Sequence, residues 1–206
     1  MSREAFGEAA TFFTGLVRQV REEQWSAPAL GVWTVRELAR HGANAFVSIA
    51  AWDSTARTAD SVEMAGAVDF YVRVLAPGGP GETIAERQRK AAQELTGDLR
   101  QKVTADSARA LALLDDIPDD HPTRSLAGGM RFVDWLDTRT LELTVHGLDL
   151  AKAIGVAADP PQMALRKTLA VLAELAIMRG VAGELALALT GRGPLPDGFS
   201  LMAQGS

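Results

Sequence analysis

The chain contains no cysteine. That excludes disulfides, cysteine-bearing zinc sites, iron–sulfur clusters and a protein thiol nucleophile. Any thiol chemistry here must bring its thiol in on a small molecule. Histidine is scarce as well, with three in 206 residues. Lysine is thin, because 17 of the 21 basic residues are arginine. No basic patch offsets the net charge of −5, so nucleic acid is not expected as a partner. No apolar run approaches the roughly 20 residues needed to span a bilayer. The opening "MSREAFGEAA" lacks the charge and apolar pattern of a secretory signal. The expectation is a cytoplasmic protein without a membrane partner, acting as a monomer or homodimer.

The composition is that of a folded domain, with 47% apolar and 23% charged residues. Apolar residues recur at helical spacing from about Arg3 to Glu23, through Phe6, Ala9, Phe13, Leu16, Val17 and Val20. "WSAPALGVW" breaks that pattern. A second helix opens at "TVRE", where Thr34 and Glu37 form a capping box. It continues through Leu38, His41, Ala45, Phe46, Ile49 and Trp52. A helical segment ends at "VDFYVRVLA", and "PGGPG" (Pro77–Gly81) is a turn. "TIAE" at Thr83 offers another capping box, opening a helix that runs through Ile84, Leu95, Leu99, Val103 and Leu114 to about Ile117. "PDDHPTRSLAGG" reads as a loop. Further helices are expected over about Met130–Ile154, stopped by Gly155, and Pro161–Arg179, followed by Gly180. The tail "LALALTGRGPLPDGFSLM" suits a short strand or an apolar clasp. Long helices with short connections predict an all-α bundle.

The segment "RTLELTVHGLDLAKAIG" (Arg139–Gly155) carries the chemistry. Its apolar stripe runs through Leu136, Leu143, Leu150 and Ile154. Arg139, Glu142, His146 and Asp149 follow at spacings of three and four, along the edge of that stripe. Buried charges are costly unless paired or bound to a metal. On the second helix, His41 borders the apolar arc and Gly42 leaves room for a close neighbour. If the two helices pack, His41 meets Glu142 and His146 across the bundle. Two imidazoles and a carboxylate suit zinc or another divalent transition metal with open positions. The bland alternative is an ordinary i,i+4 ion pair beside a hydrogen-bonded histidine. Trp25, Trp33 and Trp135 read as core aromatics, and His121 as a solvent-facing loop residue. Arg192, in the tail, is a further group able to reach an anionic ligand.

Two stretches resemble a known family. "WSAPALGVWTVRELARHGAN" and "RTLELTVHGLDLAKAIG" are similar to the two signatures of the mycothiol-dependent maleylpyruvate isomerase family, within the DinB-like superfamily. The usual Gly-Trp pair is split here as Gly31-Val32-Trp33. The resemblance implies a DinB-like four-helix bundle over residues 1–155, with a metal held by His41, Glu142 and His146. Residues 156–206 would supply a C-terminal helix and tail packing on the bundle, a reduced version of the family's C-terminal region. It further implies a divalent metal (zinc first, with nickel or iron as alternatives) and mycothiol as cosubstrate.

The expected activity is therefore metal-dependent thiol transfer or isomerisation on a small electrophilic substrate. The metal deprotonates the thiol, and the thiolate attacks an electrophilic carbon. Arg139 binds a substrate carboxylate or the developing anion. Asp149 orients a ligand or pairs with Arg139. Rival readings are a metal-dependent hydrolase that activates water on the same scaffold, and a non-catalytic helical binding or regulatory protein.

Overall fold

A computed structural model describes residues 1–50, 58–79 and 97–202. Helix α1 (Ser2–Gln19) buries Phe6, Ala9, Phe13, Leu16 and Val17, the stripe expected from their spacing. A 3-10 turn (Glu22–Gln24) leads into a small hairpin of β1 (Pro28–Leu30) and β2 (Trp33–Thr34). Its turn uses Gly31 at φ +55°, a conformation that favours glycine. Helix α2 (Val35–Ala50) starts at the expected box. The Glu37 amide donates to Thr34 Oγ1 at 3.3 Å, and the Thr34 amide donates to Glu37 Oε2 at 2.8 Å.

Helices α3 (Ala67–Val74) and α4 (Leu99–Leu113) follow. Asp98 caps α4 by accepting from the Arg100 amide at 2.9 Å. A second hairpin, β3 (Pro122–Ser125) with β4 (Gly128–Arg131), leads into the longest described helix, α5 (Phe132–Ile154). Gly155 ends α5 in the left-handed region at φ 73°. Helices α6 (Gln162–Met178) and α7 (Ala182–Leu189) complete the described elements.

Helices α1, α2, α4 and α5 form the bundle: α1 packs on α5 and α4, and α2 on α4 and α5. This is an all-α, DinB-like architecture, with only two small two-stranded sheets among the described residues. Phe6, Phe13, Phe46, Leu38 and Leu136 sit at its centre, essentially without solvent contact. Phe46 receives Phe6 and Phe13 edge-on, with ring centroids 6.4 and 6.1 Å away. Such pairs add roughly 0.5–1.5 kcal/mol each beyond their buried area. No described helix is long and apolar enough to cross a membrane.

Two glycines set how closely the helices approach. A methyl at Gly42 of α2 would overlap the ring of Phe13, and one at Gly147 of α5 would overlap the ring of Phe12. Adjacent phenylalanines of α1 thus press against two other helices. Each of those glycines directly follows a histidine, His41 or His146. Helix α6 lies against α5, α1 and α3. Its first amides, of Met163 and Ala164, donate to Glu8 Oε2 of α1 at 3.0 and 3.3 Å.

Some expectations need correction. The loop around Thr123 is a hairpin, since Ser125–Gly128 closes a tight reversal with Leu126 and Ala127 at its tip. "WSAPALGVW" likewise holds a hairpin. The "LALAL" run is helix α7, not a strand, because alanine and leucine are strong helix formers. The clasp is real: Leu201 and Met202 pack against the core. His121 is half-buried, with its Nε2 at 3.3 Å from Thr58 Oγ1. Trp52, the capping box at Thr83 and the helical run from Ile84 to Leu95 lie outside the described residues.

Candidate metal centre

His41 on α2 and Glu142 and His146 on α5 converge. Their three nearest ligand atoms all lie within 4.8 Å of one another. Glu142 Oε2 is 3.2 Å from His146 Nε2 and 3.7 Å from His41 Nε2. The two imidazole rings meet edge to face, with centroids 4.7 Å apart. The i,i+4 spacing on α5 brings Glu142 and His146 together. The crossing of α2 over α5 brings His41.

The surroundings hold each group in place. Asp149, one turn beyond His146, places Oδ2 at 3.3 Å from His146 Nδ1. That leaves His146 Nε2 facing Glu142. Tyr71 of α3 donates its hydroxyl to the other carboxylate oxygen, Glu142 Oε1, at 2.9 Å, and lies 3.2 Å from the Thr138 carbonyl. The indole of Trp33, at the end of the first hairpin, covers the His41 ring at 4.6 Å between centroids. Trp33 is therefore a wall of the site. Trp25 and Trp135 are buried core aromatics, as their positions suggested. His41 Nδ1 is buried and has no hydrogen-bond partner among the described residues.

Arg139 stands one turn before Glu142. Its guanidinium lies over the rings of Phe70 and Trp135, at 5.7 and 5.6 Å. Its Nε donates to Thr138 Oγ1 at 3.0 Å. Its Nη groups make no hydrogen bond or ion pair among the described residues. Asp149 does not pair with Arg139; its carboxylate is directed to His146. Arg192 is exposed and does not line the cavity.

Charge follows from this packing. Burial opposes ionisation of Glu142, but hydrogen bonding to His146 and His41 outweighs it and holds the carboxyl well below its usual range. Burial also opposes the charge on His146, yet Asp149 and Glu142 together raise its pKa to about 9. Burial lowers the pKa of His41. Burial first, and then the Glu142 charge, push the Tyr71 hydroxyl well above its usual value, so it stays a donor.

The donor set suits a divalent transition ion. Two ligands at ~2.1 Å from a tetrahedral ion lie about 3.4 Å apart, close to the spacings around Glu142 Oε2. A carboxylate on the remote nitrogen of a ligating histidine, as Asp149 stands to His146, is the usual support for such a ligand. The three groups open onto a cavity of about 720 Å³, together with Arg139, Tyr71, Asp149 and Trp33. That volume is in the range of small-molecule sites.

Tyr71 and Trp33 are the functional-site residues that sequence reasoning missed. Tyr71 is the sole tyrosine of the chain, a signal that was available. Trp33 stands in the signature stretch itself, two residues from Val35 where α2 begins.

A helical bundle that gathers two histidines and a glutamate from two helices at the foot of one cavity is a DinB-like protein with a candidate metal centre. The chain belongs to the family described as the mycothiol maleylpyruvate isomerase N-terminal domain, whose model matches residues 6–151. No curated protein and no solved structure matches the chain.

Proposed function

We propose that this protein is a metal-dependent enzyme that joins a low-molecular-weight thiol, such as mycothiol, to a small electrophile, for net transfer or for isomerisation. The convergence of His41, Glu142 and His146 at one cavity carries the reading. The family supplies the thiol and the isomerase class. In this reading His41, Glu142 and His146 hold zinc, or alternatively nickel or iron(II). A divalent ion held there supplies the positive charge that makes a bound thiol acidic.

The chain's own groups do the rest. Asp149 holds the Nδ1 side of His146, so that Nε2 stays directed inward. Tyr71 occupies Glu142 Oε1 and leaves Oε2 for the histidine side. Arg139 offers its Nη hydrogens to an anion, whether a substrate carboxylate or the charge that develops on thiolate attack. The apolar walls limit water, which strengthens these interactions. In this reading the metal-binding bundle is residues 1–155, and the region 156–206 contributes α6, which packs on it, then α7 and a tail.

The test is elemental analysis of the purified protein, followed by turnover of a panel of electrophiles with and without mycothiol. Turnover should require both metal and thiol. Turnover with water alone would make the protein a hydrolase. Stoichiometric metal without any turnover would leave a binding protein.

A further inference from the structure

The cavity that holds the triad is mostly apolar. Leu30 comes from the first hairpin, Phe70 and Val74 from α3, Leu126 from the second hairpin, Val145 from α5 and Met202 from the tail. Against these walls stands one guanidinium. Among the described residues lining the cavity, Arg139 is the only arginine, and there is no lysine. Thr138 and the two aromatic rings fix its Nε side, while its Nη pair has no partner among the described residues. A planar guanidinium with a free Nη edge is shaped for a carboxylate taken up by two parallel hydrogen bonds. The acidic groups of the lining, Glu142 and Asp149, are already engaged with the histidines.

We infer that the cavity selects a substrate with one carboxylate on a largely apolar body, the carboxylate held by Arg139 and the body lying against the walls from α3, α5 and the tail. This rests on the proposed function for the electrophile's role, and it specifies its class. Away from the metal position, a second carboxylate would have to sit against apolar wall or beside Glu142 and Asp149, where its burial is uncompensated.

The experiment is calorimetric titration of the zinc-loaded protein, and of the zinc-stripped protein as control. The probes are straight-chain carboxylates from butanoate to decanoate, octanamide and succinate. The carboxylates should tighten by about fourfold per added methylene while the chain stays in the cavity. Octanamide should bind at least about tenfold more weakly than octanoate, because it forfeits the charged pair. Succinate should bind more weakly than butanoate, which matches it in chain length. Arg139→Met should bring octanoate down to the level of octanamide, and Arg139→Lys should fall between. Equal binding of octanoate and octanamide to wild type overturns the inference without any variant. So does succinate binding as tightly as butanoate. Octanoate binding that survives Arg139→Met but disappears with the zinc puts the carboxylate on the metal and also overturns it. No thiol or turnover enters these titrations, so the ligand class and the proposed reaction fail or stand separately.

Discussion

The hydroxyl of Tyr71 donates to Glu142 at 2.9 Å, on the carboxylate oxygen that does not face the histidines. Residues 71 apart in sequence are thereby tied at the centre of the site, and Glu142 is left with one oxygen for a ligand role. Tyr71→Phe removes that hydrogen bond and keeps the ring. Loss of a partner behind a metal ligand costs about 10–100-fold in affinity. Zinc affinity, measured by competition with a chromophoric chelator, should fall within that range while the fold persists. An unchanged affinity would reduce Tyr71 to a packing residue.

The ligand set itself predicts a pattern across variants. Zinc at a hundredfold excess over Kd should stabilise the wild type by about 2.7 kcal/mol. For a domain of this size that is a rise in Tm of roughly 5–10 °C. His41→Ala and His146→Ala should each abolish most of the rise. A plain ion-pair network predicts no stoichiometric metal, no metal-dependent rise and only a small change in stability. Melting curves with and without zinc, joined to elemental analysis, separate the two.

Metal uptake should depend on pH through His146. Its folded pKa of about 9 means that the metal-free protein carries a proton there at pH 7. An ion must displace that proton, so apparent affinity should rise by about tenfold per pH unit from 7 towards 9 and then level off. The metal-free protein should show the opposite trend from this group. A folded pKa raised above the unfolded 6.5 contributes stability that is complete below about 6.5 and is lost as pH rises through 9. Competition titrations at pH 7, 8 and 9 check the first trend. A flat profile would mean that His146 is already neutral.

Alanine at position 42 would gain about 1 kcal/mol of helix propensity over glycine. Its methyl would overlap the ring of Phe13, which is fully buried. Overpacking of that kind costs roughly 1–3 kcal/mol. Gly42→Ala should therefore be net destabilising in urea, and zinc affinity should fall as His41 moves with α2. Stabilisation by the substitution would show that α1 and α2 yield without cost.

Much of this architecture is local and was readable in one dimension. The Thr34–Glu37 box marks the start of α2 because its hydrogen bonds join residues three apart. Gly155 marks the end of α5 because the left-handed cap favours glycine. The Glu142–His146 pair follows from helical pitch alone, and the apolar arc beside His41 showed which way that residue faces. The resemblance of the two signature stretches led to the same three side chains. The hairpins escaped notice because each strand has only two to four residues, too few for an alternation to register.

What no local pattern contained is distance across the bundle. Packing of α3 on α5 decides that Tyr71 reaches Glu142, and the fold of the first hairpin decides that Trp33 covers His41 instead of entering the core. The choice of Asp149 for His146 over Arg139 depends on rotamers set by Phe70, Trp135 and Thr138 around the arginine. The cavity exists only where α2, α3, α5, both hairpins and the tail meet. Helical periodicity determines which face a residue occupies; side-chain volume at the crossings, above all the missing methyls of Gly42 and Gly147, determines what that face meets.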